Sequence, residues 1–384
     1  MRFPQFRSRV KPARGGRPGR AGALDDDLDY RTAAMSPGPS AEDAPQLSVC
    51  IATFRRAAFI GETLRSILEQ LRPGVEVVIV DGASPDDTPA AVRAAAAGRP
   101  EVRYFREAAN SGVDADYDRA VGYSRGAYCW LMTDDDLLAP GAVDRVLAAI
   151  ADGPDLVVVN AETRTPDLAS VLDPALLPAR ADRDYGPGQR VGLFADAASY
   201  LTFIGGVVIR REAWLARERK AYYGSLFVHV GVLFQDPPLG RARVIAAPLV
   251  RIRWGNALWT PRAFEVWMFK WPALVWSLPG LPDEIRARVC PREPWRNLRM
   301  LGLHRARGSF SLGEFRRSLA GRGGPAFRLA ALAVAATPRS VASVLASLYC
   351  VAVARTARRE LWELAHGPGS TWVARWAARR LLGG

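Results

Sequence analysis

The sequence predicts an α/β domain built on a mostly parallel sheet, followed by a helical region. Three observations carry this: short apolar runs recur, helical stretches separate them, and acidic residues stand at the ends of two of the runs. Strands that read as continuous apolar runs belong to sheets buried on both faces, and alternation of strand and helix gives parallel order. In such sheets ligands bind beyond the carboxyl ends of the strands.

The first apolar run, Leu47 to Ala52, leads through Thr53 into a helix expected from about Ala57 to Leu71, which Pro73 and Gly74 break. Val75 to Val80 is a second strand and ends at Asp81. A turn over Gly82 to Asp86, a helix over Thr88 to Ala97 and a strand at Val102 to Phe105 follow. A glycine-containing loop at Asn110 to Gly112 precedes a helix at Ala115 to Tyr123. The strand Ala127 to Thr133 runs straight into Asp134, Asp135 and Asp136. After a helix from Ala142 to Ala151, Leu156 to Asn160 is a fifth strand. Thr165 to Gly188 reads as a long loop, because it is rich in Pro and Asp and has no period. Phe203 to Ile209 and Val244 to Ile252 are the later strands, and from Trp254 onward the chain becomes helical and rich in tryptophan.

Length and composition bound what such a chain does. With 384 residues, 49% of them hydrophobic, it can fill a large core, and a wholly disordered chain is excluded. The formal charge of +13 points to a polyanionic neighbour, but it is diffuse and almost all arginine, with Lys11, Lys220 and Lys270 the only lysines. No aromatic-basic motif accompanies it, so a nucleic-acid partner is not expected. Cys50, Cys129, Cys290 and Cys350 form no zinc-like spacing and read as reduced thiols of a cytoplasmic protein. Residues 1–45, basic and then acidic with Gly and Pro between, read as a disordered tail without the apolar stretch of a secretory signal. The apolar stretch Phe327 to Ala354 is interrupted at Thr337 to Ser340, so neither half spans a bilayer.

Three adjacent carboxylates at a strand end repel one another unless a cation or a set of donors compensates them. A hard divalent cation, Mg²⁺ or Mn²⁺, takes carboxylate and diphosphate oxygens together, so Asp134 to Asp136 suit a metal-bridged nucleotide; an acidic turn capping the helix after Pro140 is the plainer alternative. Asp81, followed by the small residues Gly82, Ala83 and Ser84, can accept bonds from a base or ribose, or it can simply close a turn. The reading requires Asp81 and Asp135 to converge on one cavity.

The ordered set Ser48 to Phe54, Val80-Asp81-Gly82-Ala83-Ser84, Asn110-Ser111-Gly112 and Gly126 to Asp136 resembles the family 2 glycosyltransferases of GT-A fold, with its DXD-like motif in the triplet. Asp136-Leu137-Leu138 together with Ser225 to Val230 resembles the abequosyltransferase-like branch, which decorates bacterial surface polysaccharides with deoxysugars. The resemblance implies a GT-A domain over residues 46–255 with a mostly parallel central sheet, and a helical region over 256–384. It implies that Thr53 and Asp81 contact the nucleoside, Asp134 the ribose or sugar side, and Asp135 with Asp136 the metal-bridged diphosphate. Arg106 and Asp116 lie within reach of nucleotide or sugar. An acceptor hydroxyl then attacks the anomeric carbon with inversion, and one base takes its proton.

The chain departs from the family pattern where that base is commonly one of a later Glu-Asp pair, since no such pair follows Ile209. His229 stands near the place, with Asp236 next, although a lone histidine between Phe227 and Phe234 also suits a core. Arg253, following an apolar strand with Arg251 and beside Trp254, is the expected diphosphate or acceptor contact. The implied partners are a nucleoside diphosphate sugar and a saccharide or lipid-linked saccharide. Tryptophans and arginines beyond residue 256 suit either a subdomain packed on the first or a surface lying on the inner, anionic face of a membrane. A nucleotidyltransferase would show a glycine-rich loop after the first strand, and Thr53 to Ala58 has none; a binding scaffold without a base is the other competing reading.

Overall fold

The computed structural model describes residues 44–352, 358–367 and 369–382. The tail expected over residues 1–45 falls almost wholly outside the described residues. Two seven-residue strands, β1 (Leu47–Thr53) and β2 (Val75–Asp81), are buried at every position, as continuous apolar runs require. Helix α1 (Ile60–Leu68) lies between them and buries Ile60, Leu64, Ile67 and Leu68, which its helical period places on one face. It is shorter than expected at both ends. Helix α2 (Thr88–Ala96) leads to β3 (Val102–Arg106), and α3 (Val113–Tyr123) to β4 (Tyr128–Met132).

Beyond the triplet the chain forms β5 (Leu137–Leu138), α4 (Ala142–Ile150) and β6 (Leu156–Arg164). The expected long loop holds two short strands, β7 (Val171–Asp173) and β8 (Arg183–Tyr185), paired to the sheet. Helix α5 (Arg190–Ala197) follows. The expected strand from Phe203 instead begins at Val207, because residues 204–206 make a 3₁₀ turn first; this strand is β9 (Val207–Arg210). Helices α6 (Arg211–Leu215) and α7 (Val228–Phe234) precede the longest strand, β10 (Ala242–Arg253).

The sheet runs β3-β2-β1-β4-β9-β6-β10-β5. Its first four strands are parallel, β9 runs antiparallel to both β4 and β6, and β10 is again parallel to β6. Strand order reverses between β1 and β4, and that is where the carboxyl ends leave a crevice. At the opposite edge Ser48 donates to the buried Glu76 at 2.7 Å and accepts from the Gly126 amide at 2.8 Å. A Cβ on Gly126 would stand 2.5 Å from Ser48 Oγ, so only glycine fits there.

The main core does not stop at residue 255. Val266, Trp271, Leu274, Val275 and Leu278 pack into it, while two smaller cores centre on Phe264–Leu301–Phe310 and on Leu361–Ala374–Ala377.

Candidate active site

Thr53, the last residue of β1, has Asp81 of β2 as its register partner on one side, and β4 pairs on the other side with Ile51 opposite Met132. Asp81 and the triplet thus stand on either side of Thr53 at one sheet edge. The turn after β1 folds Arg56 back over this edge. Its guanidinium reaches Asp134 Oδ1 at 3.2 Å and Asp135 Oδ2 at 3.1 Å, and donates to the Asn256 carbonyl at 3.1 Å. Arg56, three residues after Thr53, is not among the site residues expected from the sequence.

Burial raises all three carboxyls. Asp134 is pushed up to about 7, by burial first and by the Asp135 charge next, against the pull of Arg56. Asp135 is raised by burial against Arg56 and Arg253, and Asp136 goes well above the usual carboxylate range through burial and the Asp135 charge.

The three do not offer the same atoms. Asp136 accepts from the Arg253 amide at 2.7 Å and from the Thr133 hydroxyl at 2.5 Å, so both its oxygens are engaged. Arg253 gives Nε to the Asp135 carbonyl at 3.1 Å, Nη1 to the Pro166 carbonyl at 2.5 Å and Nη2 to Glu62. Asp136 thus braces the triplet against β10, and Arg253 holds the triplet in place.

Among the described residues no group of three His, Cys, Asp or Glu side chains could hold a metal alone. Asp134 and Asp135 each retain acceptor capacity beyond Arg56, which fits Mg²⁺ or Mn²⁺ shared with a diphosphate, because Mg²⁺ characteristically takes one or two carboxylates plus phosphate oxygens. The fit is therefore to a cation that arrives with its ligand.

On the other side of Thr53, Asp81 is fully buried, accepting from the Ser84 amide at 2.7 Å and the Tyr104 hydroxyl at 2.6 Å. These bonds shape the Gly82–Ser84 turn, and Arg106 donates to the Ser84 carbonyl at 2.9 Å. The buried Thr53 hydroxyl lies beside the Asp134 carboxyl at the floor of the crevice. Asp116, pushed up to about 6 by burial, approaches so closely that a Cβ on Gly82 would lie 2.6 Å from its Oδ2.

His229 sits in α7, whose seven residues are all buried. Its Nε2 is 2.7 Å from the Leu201 carbonyl, which makes Nε2 the donor and leaves Nδ1, without a partner, as the acceptor. A residue outside the expected set positions it: Asp114, at the start of α3, accepts from the backbone amides of Gly224, Leu226 and Val228 at 2.8, 2.9 and 3.0 Å. Asp236 is not brought to the crevice. The chain after α7 returns to the amino edge of the sheet, where Asp236 pairs with Arg190 at 2.6 Å and Gly240 donates to Asp155 just before β6.

Burial lowers the His229 pKa to about 4 from an ordinary 6.5. The neutral ring's contribution to stability is therefore whole above pH 6.5 and is lost as pH falls from there towards 4. Denaturation midpoints of wild type and His229→Gln, followed from about pH 7.5 to 4.5, should diverge, with wild type losing about 2 to 3 kcal/mol more. Parallel curves for the two proteins would refute a buried, neutral His229.

Residues 48–172 match the family model described as glycosyl transferase family 2. The chain is 26% identical over 227 residues to the abequosyltransferase RfbV of Salmonella typhimurium, covering 55% of this chain and 67% of that one. It is 32% identical over 127 residues to the succinoglycan biosynthesis protein ExoO of Rhizobium meliloti, covering 33% of this chain and 36% of the relative, so it spans about a third of that protein's length. Among solved structures, the mannosyltransferase PcManGT of Pyrobaculum calidifontis, in complex with GDP-Man and Mn²⁺, aligns over 90% of each chain with a TM-score of 0.50 and 18% identity. That likeness is one of fold: an α/β GT-A architecture with a mostly parallel, mixed sheet and C-terminal helices.

Proposed function

The chain carries a family 2 glycosyltransferase domain, and from that premise we propose that it transfers a sugar from a nucleoside diphosphate to a saccharide in polysaccharide synthesis. The observation that carries the reading is the single edge on which Thr53, Asp81 and the Asp134–Asp135 pair meet. In this reading Asp81 shapes the turn that receives the nucleoside, and Thr53, its register partner, lies beside it. Asp134 and Asp135 hold the cation, which when bound neutralises charge on the departing diphosphate.

The acceptor hydroxyl forms the new bond to the anomeric carbon as the bond to diphosphate breaks, with inversion. His229 Nδ1 takes the hydroxyl proton, and the Leu201 carbonyl keeps the ring in the tautomer that can accept it. A deoxysugar donor is supported by the similarity to an abequosyltransferase.

The surface supports a lipid-linked acceptor. Among the described residues, the exposed large apolar side chains other than Val113 all follow residue 256, and most of them, including Leu329, Leu345, Leu348 and Trp372, lie on the C-terminal helices. No single described helix is long and apolar enough to cross a membrane, and the pair Pro325–Ala336 and Arg339–Ala352 bends by 102° at its break. Such a face suits a helix pair lying in the interface of an anionic bilayer.

Thermal-shift measurements against UDP-, GDP-, CDP- and dTDP-sugars, with and without Mn²⁺, test the proposal. One donor should raise the melting temperature, and more so with the cation, because a ligand of the native state stabilises it. Absence of a shift with every donor would refute the function.

A further inference from the structure

A chain of aromatic rings leads outward from His229, the proton acceptor of the proposed reaction. The Phe227 ring lies 6.5 Å from the imidazole between centroids, Trp271 lies 5.0 Å and Trp267 5.9 Å from Phe227, and Trp259 stands edge-on to Trp267 at 5.7 Å. Exposure rises along the chain: Phe227 and Trp271 are buried, Trp267 is half-buried, and Trp259 is 37% exposed. Rings within about 7 Å attract one another in edge-to-face and tilted pairs, so the inner ones hold the orientation of the outermost.

Two features of the backbone put these rings in place. Trp267 stands in a π-helical turn, Val266–Lys270, and such turns are rare and recur at functional sites. Lys270 ends it by donating to the Gly224 carbonyl at 2.5 Å, in the segment that Asp114 ties to α3 just ahead of His229. Trp259 is carried by the loop after β10, where the Asn256 carbonyl accepts from Arg56 at 3.1 Å and the Asn256 side chain lies beside Asp135. Three residues of chain span at most about 10 Å, so the exposed indole stays close to the carboxylates as well as to the rings behind His229.

We infer that Trp259, backed by Trp267, is a subsite for the acceptor saccharide, whose apolar C–H face stacks on the exposed indole while the reacting hydroxyl turns towards His229. The neighbours decide the occupant. A sugar ring has one apolar face and a polar rim, which suits an indole followed by the exposed Thr260 and Arg262, whereas a bilayer takes a continuous apolar face. The inference rests on the transferase reading and adds which residues hold the acceptor. The test is isothermal titration calorimetry of the full chain with methyl α- and β-glycosides of glucose, galactose, mannose and N-acetylglucosamine. At least one should bind wild type. Trp259→Ala should weaken that binding about tenfold, the loss expected for one stacked aromatic, and Trp259→Phe should recover most of it. The donor-induced thermal shift should persist in both variants.

Binding of no glycoside to wild type, equal affinity in Trp259→Ala, or a loss that phenylalanine does not recover would overturn the assignment. So would co-sedimentation with phosphatidylglycerol vesicles that Trp259→Ala weakens to the same degree, since that would give the indole to a bilayer. A donor shift absent from wild type, together with glycoside binding that still depends on Trp259, would support the subsite and refute the transferase instead.

Discussion

Replacing Asp135 by alanine is expected to lower sugar transfer about a thousandfold while leaving the fold intact. The magnitude is that of removing one preorganised electrostatic group from a site where charge develops, about 4 kcal/mol of barrier. Two effects combine. The variant loses one of the two carboxylates with acceptor capacity for the cation, and Arg56, which reaches Asp135 at 3.1 Å, keeps Asp134 as its only carboxylate partner. The Asp135 backbone carbonyl still accepts from Arg253, so the loop keeps its brace. Single-turnover transfer rates, with circular dichroism as the control, measure this. A folded Asp135→Ala protein retaining more than about a tenth of wild-type rate would refute the role.

Asp114→Ala should be the most damaging substitution for stability outside the apolar core, at about 3 to 5 kcal/mol. The carboxylate is buried and satisfies three backbone amides, and alanine leaves all three without partners. Two of the amides belong to Gly224 and Leu226, both at positive φ, so the segment is a tight irregular turn whose backbone this side chain ties to α3. Urea denaturation with constant m-value would measure the loss. Because the same turn starts α7, transfer should fall more steeply than the folded fraction, and activity tracking stability alone would separate His229 from the chemistry.

The half of the fold that carries the crevice was legible in the sequence because its signals are local. Buried parallel strands announce themselves as apolar runs, and the runs beginning at Leu47, Val75 and Leu156 correspond to β1, β2 and β6 within a few residues. The start of the run Phe203 to Ile209 misled because an apolar run containing Gly205 and Gly206 reads as strand, although those glycines allow a turn packed against the Tyr200 and Phe203 rings. The triplet's place at a strand end was equally readable. Its internal division of labour was not, since whether Asp136 faces a ligand or the Arg253 amide depends on the partner strand, more than a hundred residues away. Arg56 and Asp114 went unnoticed for the same reason: each matters through a partner that only the folded chain supplies.

Under the proposed function, the guanidinium lodged between Asp134 and Asp135 would make donor entry an exchange of counterions. A bare acidic cluster would repel an incoming anion and draw free metal from solution; this one is already largely neutralised. A metal alone would have to displace Arg56 to gain both carboxylates, whereas a metal–nucleotide complex would also bring phosphates for that arginine to hold, so the arrangement would favour the complex over its separate components.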